Sequence, residues 1–199
     1  MTKILALKSS IMGSNSQTNA LIETFLAERK KQGLADQVVV HDLVALDLPV
    51  LDNEIFFALR GAENLSEHAQ RVVALSDELV SELKASDLLL IGAPMYNLNV
   101  PTQLKNWFDL IARAKVTFRY AETYPEGLVD GVSAVVISSS GGAHVGQDTD
   151  AVTPYLRAVL GLIGITDVKF VYAEGMDMRP DGVAKGLANA RAQIAELIA

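Results

Sequence analysis

The chain has 199 residues, half of them hydrophobic, which is enough for a sizeable core and predicts a single domain over residues 1–199. Its 17 basic and 24 acidic residues give a net charge of −7, and no basic block interrupts the sequence, so we expect no binding to nucleic acid or to an anionic membrane surface. It has no cysteine and three histidines, which excludes disulfides and zinc-thiolate sites, and we expect no metal site.

Five short apolar runs along the chain predict buried β-strands. They are Ile4–Leu7, Val38–Val40, Asp87–Ala93, Ser133–Ser138 and Val168–Ala173. The runs are continuous rather than alternating, which is typical of parallel strands covered on both faces. None approaches the ~20 apolar residues that span a bilayer, so we expect a cytoplasmic protein without a membrane partner.

Helical patterns separate these runs. The first begins near Leu21 and stops at Gly33, and the second places Val72, Leu75, Leu79 and Leu83 on one face. A third starts with Pro101 in its first turn and runs through "TQLKNWFDLIARA", and two more cover about 150–163 and 182–198. Residues 44–67 form the one long connection, which we expect to be an irregular surface loop.

The alternation of strands and helices predicts an α/β fold. Its economical form is a flavodoxin-like three-layer αβα sandwich around a five-stranded parallel sheet of order 2-1-3-4-5. In such sheets ligands bind beyond the carboxyl ends of the strands, at the switch point between strands 1 and 3.

Three loops would meet at that edge. "KSSIMGSNSQT" after strand 1 lacks both the P-loop and the dinucleotide motifs, yet it places hydroxyls at a helix start, which suits a phosphate as well as it suits plain N-capping. "GAPMYNLNVP" follows strand 3, and "SSSGGAHVG" follows strand 4 with two adjacent glycines that permit close approach. Each loop alone is ordinary, but the fold would bring all three to one crevice.

The stretches "KSSIMGSNSQT", "APMYNLNVPTQLKNWFDLIARAKVTFRY", "SSSGGAH" and "GLIGITDVKFVYAEG" resemble the FMN-dependent NADH azoreductases, which are close to the NAD(P)H quinone oxidoreductases. The resemblance implies one FMN per subunit. Its phosphate region would be bound by Ser10, Ser16, Gln17 and Thr18, and its ring by Met95, Tyr96, Asn97 and Leu98. Ser139, Ser140, Gly141 and Gly142 would close over the far side of the ring.

The resemblance also implies an activity. NADH, or alternatively NADPH, would reduce quinones and azo compounds by ping-pong two-electron transfer on the flavin, with no certain catalytic side chain. A homodimer would form the substrate slot from Asn97, Tyr120 and Leu162, with His144 as a further candidate. Relatives often carry Arg where this chain has Ser140 and an aromatic residue where it has Leu162, which leaves the substrate range open.

Two alternatives belong to other classes. One is a flavodoxin-like electron carrier, and the other is a serine esterase that uses Ser9 or Ser10 with His144. The esterase lacks the usual Gly-Asp-Ser setting after strand 1. We expect Trp107 to pack, at a subunit interface, through the apolar "NWFDLIARA" helix.

Overall fold

A computed structural model, which describes residues 1–199, contains a five-stranded parallel sheet. Its strands are β1 (Thr2–Lys8), β2 (Asp36–Asp42), β3 (Leu88–Pro94), β6 (Ser133–Ser139) and β7 (Val168–Ala173), in the order β2-β1-β3-β6-β7. Between β3 and β6 in the chain, two short strands, β4 (Phe118–Arg119) and β5 (Glu126–Gly127), form a separate antiparallel pair. The predicted fold class and strand order are therefore confirmed.

Helices cover the two faces of the sheet. They are α1 (Gln17–Lys31), α2 (Asn53–Ala58), α3 (Glu67–Ala85), α4 (Thr102–Ile111), α5 (Val152–Ile163) and α6 (Gly182–Ile198). Apolar residues of α3, α4 and α5 form one core cluster with one face of the sheet, and those of α1 and α6 form a second cluster with the other. Because all five strands are parallel, the loops at their carboxyl ends lie along one edge of the sheet. None of the six helices combines the length and the hydropathy of a membrane span.

The second strand departs from the prediction that both faces of every strand are covered. Val38, Val39 and Val40 are 38–46% exposed. Because β2 is the edge strand beside β1, it has a hydrogen-bonded neighbour on one side only, and the helices pack mainly over the central strands. The valine run therefore reflects β-propensity at an edge rather than burial.

The long connection also differs, because it contains α2. Asp52 caps this helix by accepting a hydrogen bond from the Ile55 amide at 2.8 Å, and Ile55 is buried. At α4, Pro101 is the N-cap rather than a first-turn residue, and the helix ends at Ile111, before the predicted Ala114.

The apolar face of α4 is used inside the chain. Trp107, Leu110 and Ile111 are each 0% exposed and belong to the first core cluster, where the Trp107 ring meets Phe108 edge to face. The predicted packing of Trp107 is confirmed, but its placement at a subunit interface is wrong, since a fully buried ring cannot reach a second chain.

Candidate functional site

Four loops enclose a crevice of about 320 Å³ at the carboxyl edge of the sheet, above β1 and β3. They follow β1, β3, β6 and β7. The residues that line it are Ser10, Met12, Asn15, Ser16, Gln17, Thr18, Pro94, Met95, Tyr96, Ser139, Ser140, Gly141, Met176 and Asp177. The crevice lies at the predicted switch point.

The β1 loop ends in a helix N-terminus that suits an anion. The Ser16 hydroxyl accepts a hydrogen bond from the Asn19 amide at 3.1 Å and lies 3.0 Å from the Thr18 hydroxyl. The amides of Gln17 and Thr18 occupy the first two helical positions, where no carbonyl within the helix can accept from them. N-capping and phosphate binding are therefore compatible in this loop. Ser16 caps α1, while the two amides and the Thr18 hydroxyl remain able to donate to a phosphate.

Two further serines tie the β1 loop to β3. Ser9 donates to the Gly92 carbonyl at 2.6 Å, and the hydroxyls of Ser10 and Tyr96 are 2.9 Å apart. The ring of His144 is hydrogen-bonded to Thr149 at 2.8 Å, and no hydrogen bond joins it to either serine. The structure therefore shows none of the nucleophile–base contact that an esterase needs.

The β3 loop ends in a tight turn. Tyr96 and Asn99 exchange backbone hydrogen bonds at 2.9 and 3.1 Å, and the central residues Asn97 and Leu98 both have positive φ, at 49° and 66°. A leucine in the left-handed region is unusual and costs about 1–2 kcal/mol. Met95 and Tyr96 line the crevice, whereas Asn97 and Leu98 are exposed and do not line it.

Asn97 instead lines an adjoining hollow of about 500 Å³, which shares Tyr96 with the crevice. Lys105 and Tyr155 are on its other walls. Burial raises the pKa of the Tyr155 hydroxyl, and the nearby Asp109 carboxylate raises it further, so Tyr155 stays protonated as a hydrogen-bond donor at neutral pH.

The β6 and β7 loops form the remaining wall as one unit. Amides of Gly175, Met176 and Asp177 donate to carbonyls of Gly142, Ser140 and Gly141, each at 3.0 Å. Ser140 donates its hydroxyl to the Gly142 carbonyl at 2.7 Å. Ser139, Ser140 and Gly141 line the crevice as predicted, whereas Gly142 lies outside it.

Sequence reasoning missed five lining residues, which are Met12, Asn15, Pro94, Met176 and Asp177. Met176 and Asp177 could have been found, because β7 is a parallel strand whose carboxyl end had to reach the same edge. The other three belong to loops that were recognised, but no pattern singled them out.

The remaining slot residues do not reach the crevice within one chain. Tyr120 is 67% exposed, stacks edge to face on Phe118, and its hydroxyl is 3.4 Å from an Arg60 guanidinium nitrogen. Leu162 lies half-buried on α5, and His144 is on the β6 loop. None of the three lines the crevice.

Comparisons with known proteins agree with this geometry. Residues 2–198 match the family model described as a flavodoxin-like fold. The FMN-dependent NADH:quinone oxidoreductase 4 of Burkholderia lata is 73% identical over 194 residues, 98% of each chain, and the FMN-dependent NADH:quinone oxidoreductase of Aeromonas salmonicida is 59% identical over 99% of each.

Solved structures give the same result. An azoreductase from Bacillus anthracis has a TM-score of 0.90 at 25% identity and covers 100% of this chain and 99% of its own. A second Bacillus anthracis structure, an FMN-dependent NADH-azoreductase in complex with FMN, has a TM-score of 0.86 at 26% identity and covers 100% and 98%.

Proposed function

This chain belongs to the flavodoxin-like fold family and, within it, to the FMN-dependent NADH:quinone oxidoreductases, and from that premise we propose that it uses FMN and NADH to reduce quinones and azo compounds. The relatives named above carry the quinone activity in their names, and the FMN-bound structural neighbour carries the azoreductase activity. NADPH remains an alternative reductant to be tested alongside NADH.

The observation that carries this proposal is the crevice, whose chemistry fits FMN. One end has the α1 N-terminus with the unpaired amides of Gln17 and Thr18, which suits a phosphomonoester held by neutral donors. The rest of the lining includes Met95, Tyr96 and the loop from Ser139, whose carbonyl accepts a hydrogen bond from the Met95 amide at 2.8 Å, and this uncharged surface suits a flat ring.

The residues of this chain would bind and orient the cofactor. Ser10, Ser16, Gln17 and Thr18 would hold the phosphate region, Met95 and Tyr96 the ring, and Ser139, Ser140 and Gly141 its far side. Asn97, Leu98 and Gly142 would contact the exposed rim. When bound, FMN supplies two-electron transfer between NADH and the acceptor, so the chain needs no acid–base pair of its own.

Ser10 and Tyr96 have a second role in this arrangement. Their hydroxyls share a hydrogen bond that ties the phosphate-binding loop to the ring-binding loop. That contact fixes the two halves of the crevice relative to each other before the cofactor binds, which lowers the ordering cost of binding.

The visible spectrum of the purified protein tests the proposal. We expect a yellow protein that releases about one equivalent of FMN per chain on denaturation, because FMN would bind the folded chain and not the unfolded one. Added NADH should bleach the flavin, and benzoquinone should restore its colour with continuous NADH consumption. A colourless protein that FMN cannot stabilise against heat contradicts the proposal, and an FMN protein that fails to oxidise NADH favours the electron carrier.

We further infer that the active form is a homodimer. The resemblance assigns Tyr120 to the substrate slot, yet in one chain Tyr120 lies beside Arg60, away from the crevice. Phe56 and Phe57, 37% and 53% exposed, lie in the same region, with the Arg60 guanidinium 4.0 Å above the Phe56 ring. Exposed aromatic side chains around an arginine are typical of an interface core.

Sedimentation velocity tests this inference at assay concentrations. We expect a dimer for the wild type, and a monomer that retains FMN but loses most quinone turnover for Phe57→Asp. Tyr124→Asp is the matched control, because Tyr124 is similarly exposed and shares no hydrogen bond, aromatic pair or cation–π pair with these residues. A fully active wild-type monomer contradicts the inference.

A further inference from the structure

The crevice has an unusual charge distribution. Of its fourteen lining residues only Asp177 is charged at neutral pH, and no lysine or arginine is among them. The Asp177 carboxylate has no hydrogen-bond or ion-pair partner in the structure. The side chain is solvent-exposed, so its field on a ligand in the crevice is partly screened by water, but no counter-charge beside it cancels that field.

The backbone around Asp177 is fixed against the β6 loop. Its amide donates to the Gly141 carbonyl at 3.0 Å, and the preceding Met176 amide donates to Ser140 at the same distance. The carboxylate lies directly against Gly141, where a Cβ would come within 2.2 Å of Oδ2. The glycine therefore leaves the space that the carboxylate takes.

The proposed function puts Asp177 at the ring side of the crevice. Gly141 belongs to the loop that would lie over the ring and that begins beside Met95, whose amide donates to the Ser139 carbonyl at 2.8 Å, whereas the phosphate-binding amides start α1 on the β1 loop. Asp177 is thus expected to act mainly on the ring. Its neighbours do not neutralise it, because Glu174 is itself acidic and accepts hydrogen bonds from the amides of His144 and Val145, while Arg179 makes no ion pair.

We propose that Asp177 sets the reduction potential of the bound flavin, lowering it by destabilising the two-electron-reduced form. This inference rests on the proposed function. Two-electron reduction places negative charge on the pyrimidine end of the ring that the oxidised form lacks, and a fixed carboxylate nearby opposes that charge. The effect makes the enzyme a stronger reductant toward its acceptor, and it makes Asp177 a tuning residue rather than a catalytic one.

The test compares Asp177→Asn with the wild type in the FMN-loaded protein. Asparagine keeps the shape and the backbone hydrogen bond to Gly141 while removing the charge. Asp181→Asn is the matched control, because it makes the same change in net charge on the same loop but lies outside the crevice. Midpoint potentials would be measured by equilibration with a reference dye, and dissociation constants for oxidised FMN by fluorescence.

We expect Asp177→Asn to bind reduced FMN about tenfold more tightly relative to oxidised FMN, which corresponds to a midpoint potential about 30 mV higher for a two-electron couple. The affinity for oxidised FMN should change less than about twofold, and the shift should shrink in ~1 M salt. Asp181→Asn should leave the potential near that of the wild type.

The possible outcomes separate the two claims. Equal potentials for wild type and Asp177→Asn, both loaded with FMN, overturn this inference and leave the proposed function standing. Equal shifts in both variants show that net charge alone acts, which also overturns it. A wild-type protein that binds no FMN overturns the inference together with the proposed function.

Discussion

Ser16 caps α1 and lines the crevice at the same time, so substitutions there can distinguish an effect on helix stability from an effect on cofactor binding. Aspartate is as good an N-cap as serine, and Ser16→Asp should keep the helix start while adding a negative charge beside the predicted phosphate. We expect FMN affinity to fall at least about tenfold and riboflavin affinity to change less than about twofold, because riboflavin has no phosphate. Fluorescence titrations with the two flavins measure the difference.

Ser16→Asn is the matched control for that experiment. Asparagine also caps helices well and brings no charge, so it should weaken FMN much less than aspartate does. If Ser16→Asp lowered the affinities for FMN and riboflavin equally, the phosphate would not lie beside the α1 N-terminus.

Leu162 offers a second prediction at this scale. It lies half-buried on α5, outside the crevice of its own chain, at a position where the resemblance leads us to expect an aromatic residue. If it walls the slot of a second subunit, Leu162→Phe should raise azo-dye turnover relative to quinone turnover, because an aromatic wall stacks against a bulky planar substrate. The ratio of the two rates in one preparation is the measurement, and an unchanged ratio removes Leu162 from the slot.

At the scale of elements, the β4–β5 hairpin packs on the C-terminus of α5 through two glycines. A Cβ at Gly127 would lie 2.1 Å from the Gly164 nitrogen and 2.4 Å from the Ile163 carbonyl carbon. Backbone cannot yield as a side chain can, so Gly127→Ala should lower the free energy of unfolding by about 3 kcal/mol. A Cβ at Gly161 of α5 would meet no other atom, so Gly161→Ala should raise the free energy of unfolding by about 0.5 kcal/mol. Thermal melts of the two variants should therefore shift in opposite directions.

A second element contact makes stability depend on pH. Arg29 of α1 and Asp36 of β2 form a bidentate pair at 2.7 and 2.8 Å, and the Arg29 hydrogen bond holds the pKa of Asp36 below its ordinary value of 3.8. A depressed folded-state pKa contributes stability above 3.8 that is lost as pH falls through the folded-state value. Denaturant unfolding should show wild type more stable than Asp36→Asn at pH 7, with the gap closing below pH 3.8. If the difference in unfolding free energy between wild type and Asp36→Asn did not change with pH, the charge of Asp36 would contribute nothing to stability.

Elements with strong periodicity could be predicted from the sequence, and those that depend on neighbours could not. The α6 range and the strand from Val168 to Ala173 were predicted to the residue, because apolar periodicity and turn residues agree there. The exposure of β2 could not be predicted, since a valine run has the same pattern at the edge and in the centre of a sheet. The six-residue helix α2 was missed because it is too short to show a period.

At the scale of the whole molecule, the parallel topology is what made most of the crevice predictable. Nine of the twelve residues assigned to FMN line it, because three loops recognised separately had to end at one edge. Asn97, Leu98 and Gly142 do not line it, and their positions depend on the left-handed turn at Asn97 and Leu98 and on the pairing of the β6 and β7 loops. Neither feature has a local sequence signature, since positive φ at leucine contradicts its propensity.

The same topology predicts how two substrates must be handled. The crevice and the hollow beside Asn97 share Tyr96, and the chain carries no separate dinucleotide motif, so NADH and the acceptor would meet the same exposed side of the cofactor in turn. Double-reciprocal plots against NADH at several quinone concentrations should therefore be parallel. In that scheme NAD⁺, the first product, occupies the place that the quinone must enter, so it should inhibit competitively against quinone. Intersecting lines would require both substrates to be bound together, which contradicts a shared slot.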